Sequence, residues 1–126
     1  MAVVRCPAPV IAVVQGFAAG FGLDLAVACD LRIAGASARF TSAFARMGLV
    51  PDGGSTFTLP RLVGVGPALR LLMAGETLDA AQAHAIGLVD EVVDDASMEE
   101  GITAVTETLF AAAPASIRAI KRLVRA

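Results

Sequence analysis

Hydrophobic positions fall in short blocks near the start of the chain and in spaced stripes further on. Pro9 to Val14, PVIAVV, is an apolar run rich in β-branched residues, which predicts a strand buried on both faces. Gln15-Gly16 ends the run, and Gly16, Gly20 and Gly22 supply a backbone able to turn sharply. The apolar stretch after Gly22 predicts a helix with Asp24 in its first turns. Asp30 leads into a second short strand, Leu31 to Ala34, and Ala36 to Thr41 predicts a third that ends at Phe40. From Thr41 to Pro51 the chain reads as a connection with one amphipathic turn around Phe44-Ala45-Arg46-Met47. Pro51-Asp52-Gly53-Gly54 is a turn signal, with Ser55 or Thr56 available to cap a helix that runs to Val63 and breaks at Gly64-Val65-Gly66.

Further along the helical period dominates. Pro67 opens a helix from Ala68 to Ala74, closed by Gly75, and Asp79 caps another through Ala85, stopped by Gly87. Leu88 to Val93 reads as a short strand or extended arm. Met98, Ile102, Val105 and Leu109 mark one face of a helix. Pro114 opens the last helix, with Ile117, Ile120 and Val124 on one side. Arg118, Lys121, Arg122 and Arg125 lie opposite, and the default expectation for such a stripe is a solvated face. Strands early and helices late predict an α/β fold: one domain over residues 1–126, strand-bearing over about 1–65 and helical over about 66–126.

At 126 residues, 56% of them hydrophobic and 17% charged, the chain is richer in apolar residues than an ordinary soluble domain, so part of the excess is expected on an interface. From Pro7 to Leu23 only Gln15 is plainly polar, a length near the lower limit for a membrane span. Its prolines and glycines, with Asp24 just beyond, favour strand, turn and helix instead, and no span is expected. A net charge of −2, with neither Trp nor Tyr, argues against a general nucleic-acid surface. Cys6 and Cys29 suit buried thiols in a reducing compartment. With no secretory pattern after Arg5, the expectation is cytoplasmic. His84, the only histidine, excludes a multi-histidine metal site, and no metal is expected.

Chemistry is concentrated after Gly20. Unpaired N–H groups at the start of a helix favour a negatively charged oxygen, and Asp24 lies beside them. Asp24 also fits a structural acid near a helix dipole, the glycines also fit close helix–strand packing, and Asp52 also fits a plain Pro-Asp-Gly turn. Gly16 to Gly22 has the GxxxGxG spacing of a dinucleotide loop. The second strand, however, ends at Gly35 with no acid to hold a ribose, and the reductases with this spacing need a tyrosine that is absent.

Three pieces, PVIAVVQGFAAGFGLDLAVACDLRIA, GLVPDGGSTFTLPRLVG and LLMAGETLDAAQAHAIGLVDEVV, resemble in order and spacing the second half of an enoyl-CoA hydratase/isomerase (crotonase) family member. The resemblance implies a ββα superhelix, here partial, followed by C-terminal helices, and a homotrimer or hexamer for a complete member. It implies an acyl-CoA thioester substrate, with CoA part of the substrate and no separate cofactor. Such enzymes hold a thioester enolate on two backbone N–H groups. The resemblance assigns one of them to Phe21 and places Gly20, Gly22 and Gly53 at the substrate. Hydratases of the family carry glutamates at the positions of Asp24 and Phe44, whereas several isomerases carry their proton-shuttling acid at the position of Asp52. The resulting expectation is double-bond isomerisation of an enoyl-CoA, with Asp52 as shuttle and Asp24 supporting. Water addition with Asp24 as acid/base is the alternative. A third is a nearly inactive chain serving only in oligomerisation.

Overall fold

A computed structural model describes residues 1–126. After a short helix α1 (Ala2–Arg5), the chain forms strands β1 (Ile11–Val14) and β2 (Phe17–Ala19), then helix α2 (Phe21–Ala28). Strands β3 (Leu31–Gly35) and β4 (Arg39–Thr41) follow, with a 3-10 turn at Ala45–Met47. Helices α3 (Ser55–Val63) and α4 (Val65–Ala74) lead to β5 (Thr77–Asp79), α5 (Ala80–Ala85) and β6 (Glu91–Val93). After a second 3-10 turn at Asp95–Ser97, α6 (Met98–Phe110) and α7 (Pro114–Arg125) complete the chain.

Successive strands enter different sheets. β1 pairs parallel with β3, which pairs parallel with β6, while β2 pairs parallel with β4 and β4 antiparallel with β5. Gly16, at φ 72°, turns the chain between β1 and β2 without a Cβ penalty. Each strand pair thus contributes once to each sheet, and α2 spans the gap to the next pair with Ile11 opposite Leu31 and Phe17 opposite Arg39. Leu23, Ala26 and Val27 of α2 enter one core with Phe40, Leu59 and Leu71. This is the ββα coil that the resemblance implies.

Several local expectations change. β1 is not buried on both faces: Val13 is 42% exposed and of its four residues only Val14 is buried. β2 sits inside the glycine stretch, and β5 follows Gly75; at three residues each, they are too short to show alternation. Gly54, at φ 92°, occupies the cap position of α3, and Ser55 is the buried first residue of that helix rather than its cap. Gly64 alone separates α3 from α4. Asp79 does cap α5, in a reciprocal box with Gln82 at 2.8 and 2.9 Å. No helix is long and apolar enough to cross a membrane.

The last helix departs most. Its basic face is not simply solvated. Lys121 donates to the carbonyls of Val3 and Ala8 and pairs with Asp30, and Arg125 donates to Asp30 Oδ1 at 3.0 Å and to the carbonyls of Ala28 and Cys29 at 3.1 Å. Ile120, Leu123 and Val124 are exposed instead, and no residue of α7 is buried. The helix is therefore held chiefly by charge-assisted hydrogen bonds converging on Asp30, which also accepts from the Val10 N–H at 2.8 Å.

Burial alone would raise the Asp30 pKa, but hydrogen bonds from Lys121, the Val10 N–H and Arg125 hold it below the usual aspartate value. A depressed native pKa gives stabilisation that is complete above the unfolded-state pKa and is lost as pH falls through the native one. Asp30→Asn is therefore expected to lower stability by about 2 kcal/mol at neutral pH. Urea unfolding between about pH 7 and pH 2 checks this, the variant showing the shallower acid limb.

Candidate active site

The pairing of β2 with β4 brings Gly20 against the end of β4, where its N–H donates to the Thr41 carbonyl at 3.1 Å. Gly20 then takes φ 56° and ψ −122°, a turn open to glycine alone, and α2 begins at the next residue. As the first helical residue, Phe21 has an N–H without an intrahelical acceptor, and no carbonyl from a turn or loop caps it. That amide and its neighbour at Gly22 are the positive end of the helix.

Asp24 lies one turn into α2 and is wholly buried. Its Oδ2 accepts the Gly53 N–H at 3.0 Å, and its Oδ1 has no partner. A Cβ on Gly53 would fall 2.5 Å from Asp24 Oδ2 and 2.6 Å from Asp24 Cβ, so the turn approaches the helix closely enough to require glycine. Asp24 thus fastens the Pro51–Gly54 turn to α2. Asp52, one residue before the fastened amide, is exposed and engaged in no ion pair.

Phe44 completes the arrangement. Its ring atoms Cζ and Cε2 lie 3.7 and 3.9 Å from where a Cβ on Gly20 would be, so the ring faces the side of Gly20 from which a side chain would project. The Phe21 side chain, at the helix start, is 55% exposed. Three separate stretches are therefore brought together: Gly20 to Asp24, Phe44, and Asp52 with Gly53. The Gly53–Asp24 bond and the contact of Phe44 with Gly20 are absent from the sequence reading. A signal for the first was present. Of the adjacent glycines only Gly54 has positive φ, so Gly53 marks a close approach rather than a turn.

The whole chain, residues 1–126, matches the family model described as "Enoyl-CoA hydratase/isomerase". The chain belongs to the enoyl-CoA hydratase/isomerase family. It is 41% identical over 125 residues to a Rhodobacter capsulatus protein named a probable enoyl-CoA hydratase, covering 99% of this chain and 49% of the relative. It is 45% identical over 96 residues to the 1,2-epoxyphenylacetyl-CoA isomerase of Escherichia coli, covering 76% of this chain and 37% of that protein. A Thermobifida fusca structure solved in complex with acetoacetyl-CoA superposes with a TM-score of 0.86 at 39% identity, over 90% of this chain and 45% of that one. The chain spans half or less of the length of each. The fold is accordingly the crotonase fold of the enoyl-CoA hydratases and isomerases, over the part the chain covers.

The Gly53 contact is the most easily disturbed element of this site. Gly53→Ala places a methyl group against a buried carboxylate and its Cβ, and is expected to cost about 1–3 kcal/mol through overpacking and loss of the Asp24 hydrogen bond. Denaturant unfolding of the variant beside Gly66→Ala, whose Cβ would meet open space, measures the difference.

Proposed function

We propose that the chain carries the proton-transfer site of an enoyl-CoA isomerase. The observation that carries this reading is the contrast between the two aspartates. Asp52 is accessible beside the open end of α2, whereas Asp24 is buried and already accepting a hydrogen bond from the turn. The family relationship, the isomerase among the relatives and the acyl-CoA complex of a homologue support a CoA thioester as substrate.

In the proposed reaction the thioester carbonyl oxygen lies at the Phe21 N–H, approached past Gly22, where a Cβ would meet only open space. The Asp52 carboxylate takes a proton from C2 of a 3-enoyl thioester, breaking that C–H bond. The electron pair passes to the oxygen as a dienolate, whose negative charge the helix amide stabilises. The Asp52 carboxylic acid then returns the proton to C4, leaving the double bond between C2 and C3. Atoms balance without water and without a separate cofactor. Asp24 acts as a positioning residue, setting the turn on which Asp52 stands. The apolar face of α7 supports assembly with further copies, in keeping with a trimer or hexamer.

Hydration is the second reading, favoured by the name of the Rhodobacter relative. It would make Asp24 the acid/base, and against it stand the complete burial of that carboxylate and the apolar Phe44 where a second acid is needed.

The two readings separate by substitution. Asp52→Asn is expected to lower conversion of a 3-enoyl-CoA to the 2-enoyl isomer by about a thousandfold. Asp24→Asn keeps an acceptor for the Gly53 N–H and is expected to stay within about threefold of the parent, while Asp24→Ala falls well below it. Parallel assays of isomerisation and of water addition to a 2-enoyl-CoA provide the test. Full isomerase activity in Asp52→Asn would remove this assignment, and hydration that depends on Asp24 but not Asp52 would favour the second.

A further inference from the structure

We propose that Gly75, at the end of α4, is a positioning residue for the Phe21 amide, acting through Thr41 and Ser42 at the end of β4. The inference rests on the preceding reading only in taking that amide as the donor to the thioester oxygen.

The direction of the Phe21 N–H is set by the Gly20 turn, which is tied down where the Gly20 N–H donates to the Thr41 carbonyl at 3.1 Å. Whatever holds Thr41 therefore holds the amide. β4 is the middle strand of its sheet, with Thr41 in register with Ala19 of β2 on one side and Thr77 of β5 on the other. Only Gly75 and Glu76 separate β5 from the end of α4. Gly75 closes that helix at φ 63°, and its carbonyl accepts a long hydrogen bond from Thr41 Oγ1, at 3.4 Å.

Packing adds a stronger constraint than that bond. A Cβ on Gly75 would lie 2.9 Å from Arg46 Nε and 3.2 Å from the backbone oxygen of Ser42. These two neighbours differ in how they can yield. Arg46 is exposed, so its side chain can swing aside. Ser42 is wholly buried, one residue beyond Thr41, and its backbone oxygen moves only with the chain. Gly75 cannot retreat either, because Thr77, two residues on, is paired with Thr41 itself. A methyl group at position 75 is relieved by moving the end of β4 by roughly a few tenths of an ångström, and the Gly20 turn with it. The 3-10 turn after β4 also packs against α4, so Phe44, at its cap, belongs to the same supported segment.

Gly75→Ala is compared with Gly87→Ala, whose backbone is also left-handed at φ 83° but whose nearest neighbour lies at 3.7 Å. Strain is then common to both variants, and displacement is confined to the first. Thr41→Val and Thr41→Ser, which remove and keep the hydroxyl without left-handed strain, carry the test should Gly75→Ala not fold. In the unliganded protein Gly75→Ala is expected to shift the Gly20 and Phe21 amide signals in nitrogen–proton correlation spectra. Exchange of the Gly20 N–H is expected to be about tenfold faster than in Gly87→Ala. Thr41→Val moves the same signals by less, and Thr41→Ser leaves them in place. With a 3-enoyl-CoA, kcat of Gly75→Ala is expected to fall about tenfold at unchanged KM, because a misplaced donor costs transition-state stabilisation rather than binding. Amide signals and exchange in Gly75→Ala that match those of Gly87→Ala overturn the inference, as do unmoved signals in Thr41→Val if that variant has to serve. The reading beneath it is scored apart, by the response of the Phe21 amide to butanoyl-CoA in the parent. An amide that moves with position 75 but ignores the thioester keeps the positioning role and removes the donor. One that responds to the thioester but not to position 75 does the reverse.

Discussion

One hydrogen bond, from the Gly53 N–H to the buried carboxylate of Asp24, joins the helix that presents an open amide to the turn that carries an accessible acid. The two segments are otherwise secured by different parts of the molecule. The start of α2 is held by β2 and by the Gly20–Thr41 bond, and α3 is anchored in the core through Leu59. The Gly53 N–H is the one partner the buried Asp24 side chain has, so losing the bond leaves both its oxygens enclosed without one. The missing side chain at Gly53 belongs to the same device, because any Cβ there would push the turn off the helix.

The opposite end of α2 shows why its first amide is left open. Arg32, reaching back from β3, donates to the carbonyls of Ala26, Cys29 and Leu88, and Arg125 adds bonds to Ala28 and Cys29. Two guanidinium groups thus close the carbonyl end of the helix, where positive charge complements the dipole. Burial lowers the Arg32 pKa while Asp90 opposes the shift, and the backbone N–H of Arg32 also donates to Asp90, at 2.8 Å. The helix is compensated at one end and free at the other. In the proposed reaction that open amide, with Asp24 one turn beyond it, is where the thioester oxygen would bind.

Much of this was legible in the sequence where a residue type admits few conformations. The strand, glycine turn and helix around Gly20 could be placed from glycine positions, and the Asp79 cap from its place before a helical run. Contacts between distant segments could not. Nothing in the local pattern of Phe17 to Ala19 shows a strand, because three residues between glycines owe their extension to β4. Ser55 has the composition of a cap, but Gly54 adopts the left-handed conformation that turns the hydroxyl inward, where it finds no partner. The basic stripe of α7 carries the same lesson. Lys121 and Arg125 are drawn in by Asp30, ninety-odd positions away in the chain, and the apolar residues of the helix are left outside.

In the proposed reaction environment divides one residue type between two tasks. A carboxylate that shuttles a proton must reach carbon at both ends of the transfer, so it needs free oxygens and room to move. Asp52 has both, standing exposed on a turn whose next residue is pinned. Asp24 lacks the room: one oxygen accepts the Gly53 N–H and the other, without a partner, is enclosed with the rest of the side chain. Yet the mobility of Asp52 is useful only if its origin is fixed, because reaction rates fall steeply when a reacting group is displaced by an ångström. In the proposed reaction the immobile acid therefore supplies geometry and the free acid supplies chemistry. Exchanging their surroundings, rather than their identities, would be what disables the site.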